Sequence, residues 1–359
     1  MELKEIMSCA VDGEIRAIGA GSGRAAWLLS DGAVMSLDFG TGAVVMTFDT
    51  AEEVNYDDGG FDANAPSAVY VKDGYTAVVN RFGRHGWVSS DDDDWRIRLM
   101  RDSYQIAHTD YPMGFFRRDG KVHMIFGEAW NHVQIADLST RRVLTAAKSR
   151  VTEGAEERHL AYYRDHEEAN KLLWPSEYDY FYGRIRVSPD GAHILSCGWV
   201  WGAFDALAAY ETGDFIENPR IRESVVFAGE HLSRNGCFCG NDAVAVPVKP
   251  DIDDYGYDGG DEIPWEVRLD SLDGEELAAV SLPGMTLAKA DLASVNGLVY
   301  LWGEEFGFAA VDFRTGGVVY RDEEFCPAAF DEDNGWFVTC EDGVVGVWAI
   351  EYRKRRKSA

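Results

Sequence analysis

Short apolar runs rich in Val, Ile, Phe, Tyr and Trp, tight Asp-Gly turns between them, and a pattern that recurs along the chain together predict an all-β fold. The recurring unit is an apolar run, a short turn, a second run, and a third run closing on Asp-x-x-Thr-Gly. Four strands per unit, repeated at roughly 35–45 residues, are the signature of a single β-propeller. No helical patterns of crossover length separate the runs, which disfavours a parallel α/β sheet.

The first unit is AWLLSDGAVMSLDFGTGAVVMTF, turning at Asp31-Gly32 and closing over Asp38 to Gly42. GKVHMIFGEAWNHVQIADLSTRRVL and RIRVSPDGAHILSCGWVWGAFDALAAYETGDFI repeat the form, WEVRLDSLDGEELAAV is a looser copy, and GLVYLWGEEFGFAAVDFRTGGVVY closes over Asp312 to Gly316. Seven four-stranded blades are expected, near 12–49, 67–110, 112–147, 183–217, 223–282, 286–322 and 325–352. Six or eight are the alternatives that the weaker second and fifth units leave open. The last unit has three strands of its own, at 327–330, 336–340 and 344–350. The fragment 3–9 is therefore expected to pair as its fourth strand, closing the ring and removing an open edge. The propeller is expected over 1–352, with a partly helical insertion near 148–182 and a basic, disordered tail over 353–359.

Ser188-Pro-Asp-Gly191 before AHIL, the Asp-x-x-Thr-Gly strand ends, and Val345-Gly-Val-Trp-Ala-Ile350 resemble bacterial WD40-like propellers of the YVTN/SPDG type. The resemblance covers most of the chain and implies a fold but no activity. Trp348-Ala349 stands where that family has Trp-Asp.

Of 359 residues, 34 are Lys or Arg and 62 are Asp or Glu, for a net charge of −28. Such a chain is repelled by phosphate backbones and anionic membrane surfaces, so neither is an expected partner. With 46% apolar residues it buries a substantial core, unlike a disordered acidic tail. No run approaches the ~18 apolar residues of a membrane span. Glu2 and Glu5 break the start, and no apolar stretch follows to make a secretion signal. The six cysteines show no dense framework and no CxxC pair, which fits reduced thiols in a cytoplasm. Cys237-Phe-Cys239 would put two sulfurs on one strand face, as buried thiols or as a metal or redox pair.

In a four-stranded blade the A–B and C–D turns share one face, and the B–C turns and the links between blades share the other. The turns at Asp73-Gly74, Asp119-Gly120, Pro189 to Gly191, Gly40 to Gly42 and Thr315-Gly316 are short. The long insertions 50–66, 148–182, 89–95 and 250–264 are all read as B–C loops or inter-blade links, and their common face as the binding surface. Its candidate contact residues are Arg84, His85 and Trp87 in FGRHGW, Trp130, Asn131 and His132 in FGEAWNH, Trp199 and Trp201 in CGWVWGA, and Glu304 and Glu305 in WGEEFG. Each Trp has two readings: a wedge between blades, or a rim residue meeting a ligand. The insertion EGAEERHLAYYRDHEEANKLL is expected to be helical, laying Leu160, Tyr163 and Leu172 on the propeller and ending at Pro175.

Asp251 to Glu262 can be laid over a twelve-residue calcium loop, with Asp251, Asp253 and Glu262 at its acidic positions and Gly256 at its turn. Tyr255 and Asp258 break the pattern and no helices flank it, which excludes an EF-hand. A Ca²⁺ loop of another kind, using Asp251, Asp253, Asp258 and Glu262, stands beside the reading of a solvated acidic loop. No other cofactor is expected. Gly19 to Gly23 lacks the third glycine of a dinucleotide loop, and no GxSxG, HExxH, Walker or zinc spacing occurs. No catalytic residue is assigned. The leading expectation is a cytoplasmic, non-catalytic binding propeller that engages a protein partner, a basic one fitting the charge. The alternatives are a cation-dependent ligand-binding or hydrolytic propeller, and a bacterial conflict or immunity component.

Overall fold

The computed structural model describes residues 1–51, 57–92, 95–166, 177–202, 204–250 and 263–351. Seven four-stranded antiparallel sheets form a seven-bladed β-propeller. The blades span 15–49, 67–100, 113–143, 181–230, 237–282, 291–322 and 329–351, the last completed by strand Glu2–Ala10. We number them 1 to 7, name their strands A to D from the channel outward, and call the face of the B–C turns and inter-blade links the upper face.

The ring closes as expected, with Glu2 opposite Glu351 and Ala10 opposite Val344. A bulge between Glu5 and Met7 supplies what the sequence pattern does not show. An extra residue reverses the inward face of a strand. Leu3 therefore packs into the core between blades 6 and 7, while Met7 and Cys9 pack into the core between blades 7 and 1. Ile6, the residue left over, is 40% exposed.

Cores lie between adjacent blades, each filled by alternating inward residues of both sheets. Near the channel, blades 1 and 2 touch through glycine. A Cβ on Gly19 or Gly21 would stand 2.0 or 2.2 Å from the carbonyl oxygens of Val69 or Val71. These glycines serve close strand packing. The lower-face turns Asp73-Gly74 and Asp119-Gly120 take positive φ at both residues, matching the twist of a two-residue hairpin.

Three features differ from the sequence reading. Blade 4 does not end at 217. Its C strand Phe204–Glu211 runs into a short helix, α2 (Thr212–Glu217), and its D strand is Ser224–Glu230. The Glu211 carboxylate accepts from the N–H groups of Gly213 and Asp214, so a segment that reads as a strand end is capped into a helical turn. The acidic segment read over 89–95 as a B–C loop follows strand C (His85–Ser90) and precedes strand D (Arg96–Met100) of blade 2, so its described residues Asp91, Asp92 and Trp95 belong to the lower face. Arg24 pairs with Asp91 there.

Helix α1 (Ala155–Asp165) forms within the insertion, but its apolar residues do not lie on the propeller. Leu160 is 63% exposed and only Ala155 is buried. Polar contacts hold this region: Glu156 with Arg220, Glu153 with Arg222, and a bridge from Thr152 to Ile221. Leu172, Pro175, the tail 353–359 and the calcium-loop residues Asp251, Asp253, Asp258 and Glu262 lie outside the described residues.

Candidate functional site

The upper face of blades 3 and 4 carries a continuous aromatic cluster. Phe181, at the start of the blade 4 A strand, is fully buried and stacks on Trp199 at 3.8 Å between centroids and 5° between planes. Trp130, from the B–C turn of blade 3, tilts against Phe181 at 4.5 Å. Trp201 meets Phe181 edge-on at 5.2 Å, and Tyr104, from the link between blades 2 and 3, meets Trp201 at 6.3 Å. The cluster grades from core to surface: Trp201 is 48% and Tyr104 47% exposed. A rigid aromatic surface backed by a buried stack presents contact area at little conformational cost.

Beside it the link between blades 4 and 5 wraps around one carboxylate. Asp205, 2% exposed, accepts from the backbone N–H groups of Leu232, Ser233 and Arg234 at 3.0–3.2 Å. Arg234 Nη1 donates to it at 3.0 Å, and His231 Nδ1 lies 2.9 Å from its other oxygen. The wrap holds Ser233 in the left-handed region at φ 57°. Arg234 itself packs under the ring of Phe227.

The channel mouth is lined by alternating charges. Arg81 makes a two-pronged contact with Asp110 at 2.6 and 2.9 Å. Arg184 pairs with Asp291 and approaches Asp110 at 3.9 Å. Burial pushes the Asp110 carboxyl upward, but the Arg81 hydrogen bond and nearby guanidinium charges outweigh it and hold it below its ordinary value. The link carrying Asp110 is folded back by Arg101, which is 4% exposed and donates to the carbonyls of Arg81, Gly83, Thr109 and Asp110. Burial lowers the Arg101 guanidinium to about 10. The channel holds a cavity of about 310 Å³, and a second of about 490 Å³ lies at its mouth between Trp199, His231 and Arg184.

The residues singled out from sequence fall into distinct settings. Trp130, Trp199 and Trp201 come together in the aromatic cluster. Asn131 is fully buried, donating to the Tyr178 carbonyl, and His132 is 8% exposed between Glu128 and the Lys148 carbonyl. His85 is 3% exposed, with Asp58 at Nε2 and Arg98 at Nδ1, and Arg84 pairs with the same Asp58. Trp87 has the guanidinium groups of Arg96 and Arg98 near its ring, at 5.5 and 5.9 Å, and packs against the core of blades 1 and 2. Glu304 and Glu305 are exposed in the B–C turn of blade 6. Cys237 and Cys239 hydrogen-bond each other, which raises the Cys237 thiol and lowers that of Cys239. Among the described residues no group of three or more His, Cys, Asp or Glu is placed to hold a metal.

Sequence reading missed Tyr104, Phe181, Asp110, Asp205 and His231. His231 was hidden by the misplaced blade boundary: once strand Ser224–Glu230 belongs to blade 4, HLSRNG over 231–236 becomes an upper-face link. Blade 2 likewise ends at Met100 and not near 110, which makes 101–112 a link and places His108 within it.

The architecture defines a seven-bladed β-propeller, the form that WD40-like propellers share. No protein-family model and no curated protein matches the sequence. No helix among the described residues is long and apolar enough to cross a membrane.

Proposed function

We propose that the chain is a non-catalytic binding module that engages a protein partner through its upper face. The observation that carries this reading is the half-exposed platform of Tyr104 and Trp201 on a buried aromatic stack. Aromatic side chains held rigid at a surface dominate the energetics of protein contacts. The net charge of −28 favours a basic partner, drawn in by long-range attraction and then gripped by the platform. A cytoplasmic setting and a kinship with bacterial WD40-like propellers belong to the same proposal.

The test is parallel affinity capture on wild-type and Trp201→Ala chains, followed by calorimetry with the captured partner at two salt concentrations. A partner retained by the wild type, lost from the folded variant and weakened by salt is the expected result. Equal retention by both chains, or binding indifferent to salt, overturns it.

A further inference from the structure

The cavity at the channel mouth is built differently from the acidic molecule around it. Its walls bring together Arg81, Arg184, Arg234 and Lys289 against three carboxylates, Asp110, Asp205 and Asp291. Each carboxylate is already engaged by an arginine: Asp110 by Arg81, Asp291 by Arg184, and Asp205 by Arg234. Lys289 is exposed and makes no ion pair among the described residues. On a chain of net charge −28, this is a local excess of positive charge in a concave, partly desolvated place.

The second element is His231. Asp205 takes its Nδ1, which leaves Nε2 as the nitrogen available to the cavity that His231 lines, a donor there when the ring carries its second proton. The orientation is enforced. Asp205 is locked by three backbone donors and Arg234, and the Trp199 ring packs near the imidazole at 5.8 Å. Trp199 is held in turn by donating its indole N–H to Thr109 at 3.0 Å. A non-glycine residue at positive φ, Ser233, stands at the centre of the wrap, and such backbone outliers gather at ligand sites. The volume of about 490 Å³ suits a small organic molecule.

We infer that this pocket binds a small organic anion: Lys289 donates to its carboxylate, the His231 ring takes up a solvent proton on Nε2 as the anion binds and donates that N–H to it while Nδ1–H stays on Asp205, and Trp199 provides the wall for a flat apolar part. The site adjoins the protein-binding platform through Trp199, which also stacks on Phe181, but the inference does not rest on that reading. Trp201 supports the platform, whereas Lys289 and His231 define the pocket.

The experiment titrates the full chain with benzoate, benzamide and benzamidine, three probes of one shape and charges of −1, 0 and +1. The imidazole carbon-bound proton of His231, assigned through His231→Gln, is followed by NMR. Benzoate is expected to shift this resonance saturably, with benzamide and benzamidine at least about tenfold weaker, as loss of a charge-assisted hydrogen bond implies. Lys289→Glu, a change at an exposed side chain, is expected to weaken benzoate by about tenfold or more while the chain stays folded. Benzamidine binding as tightly as benzoate, benzoate affinity unchanged by Lys289→Glu, or no saturable shift overturns the inference. Thermal unfolding of each variant separates loss of the pocket from loss of the fold.

Discussion

The two faces of the ring share one topology and differ in what their connections enclose. On the lower face, short turns meet neighbouring turns at the solvent. Asp333 of blade 7 accepts from the N–H and hydroxyl of Ser22 in blade 1 at 3.1 and 2.9 Å, and both its oxygens face Lys72 of blade 2 at 2.8 Å. Arg117 of blade 3 reaches Asp73 of blade 2 in the same manner. On the upper face, the link between blades 4 and 5 winds around Asp205 and takes it out of water, and the 101–112 link does the same with Arg101. Short lower-face turns bury carboxylates at their strand ends, as at Asp331, which is 0% exposed and accepts from the N–H groups of Gly23 and Asp333. The longer link supplies three backbone donors and an arginine to Asp205 from one segment, which lets a buried ion pair stand.

The largest effect expected is on the frame common to both faces. Deleting residues 2–10 strips Leu3 from one inter-blade core, and Met7 and Cys9 from the next, and leaves strand Val344–Glu351 as an open edge. We expect aggregation and loss of a single cooperative transition, read by size-exclusion chromatography and urea unfolding. An unchanged midpoint would show that closure contributes nothing.

Asp205→Ala comes next. It leaves the fully buried Arg234 guanidinium without its carboxylate and should cost about 3–5 kcal/mol in urea unfolding. Trp201→Ala should weaken partner binding by about tenfold yet lower stability by less than ~1 kcal/mol, because half of the side chain is already in water. Calorimetry and urea titration on one preparation read both numbers.

Acid probes the upper face through Asp58. Hydrogen bonding from His85, with help from the Gly60 N–H and the charge of Arg84, lowers its carboxyl from an ordinary 3.8 to about 2. A carboxylate depressed in the folded state contributes its stability fully above 3.8 and loses it as pH falls toward 2. Between those values the wild type should therefore lose stability faster than Asp58→Asn, in urea midpoints measured against pH. Parallel slopes would remove the contact from the acid response. The smallest effect is expected on the lower face. Asp333→Asn weakens an ion pair whose carboxylate is 43% exposed and should cost less than ~1 kcal/mol. If it matched Asp205→Ala, the contrast between the faces would fail.

Much of the frame was legible in the sequence. The apolar runs and Asp-Gly turns identified hairpins, and the unpartnered fragment 3–9 matched a last blade one strand short. The blade 4 boundary was not legible, because ETGDFI carries the Thr-Gly of a strand end, and only the reach of Glu211 to two backbone N–H groups makes it a helical turn. The acidic run read over 89–95 was assigned to the wrong face because the B–C turn of blade 2 lies at 81–84, which leaves the run between strands C and D. Of the aromatic site, the tryptophans were visible as a residue type. Phe181 was visible only within the aromatic run YDYFYG, which reads as an anchor for the insertion, and Tyr104, which joins them, gave no local signal.

Sequence alone determined what is set by neighbours along the chain: the all-β class, the hairpins, the blade repeat and the strand that closes the ring. Tertiary structure alone decided which upper-face side chains meet. The inner strands of all blades end around one channel, so residues far apart in sequence become adjacent there. Arg184 and Asp291 are 107 positions apart and form an ion pair, and Thr109 and Trp199 are 90 apart and share a hydrogen bond. Hydrophobic alternation specifies a strand from within a few residues. A pocket assembled from the ends of several strands is specified only by the closure of the ring.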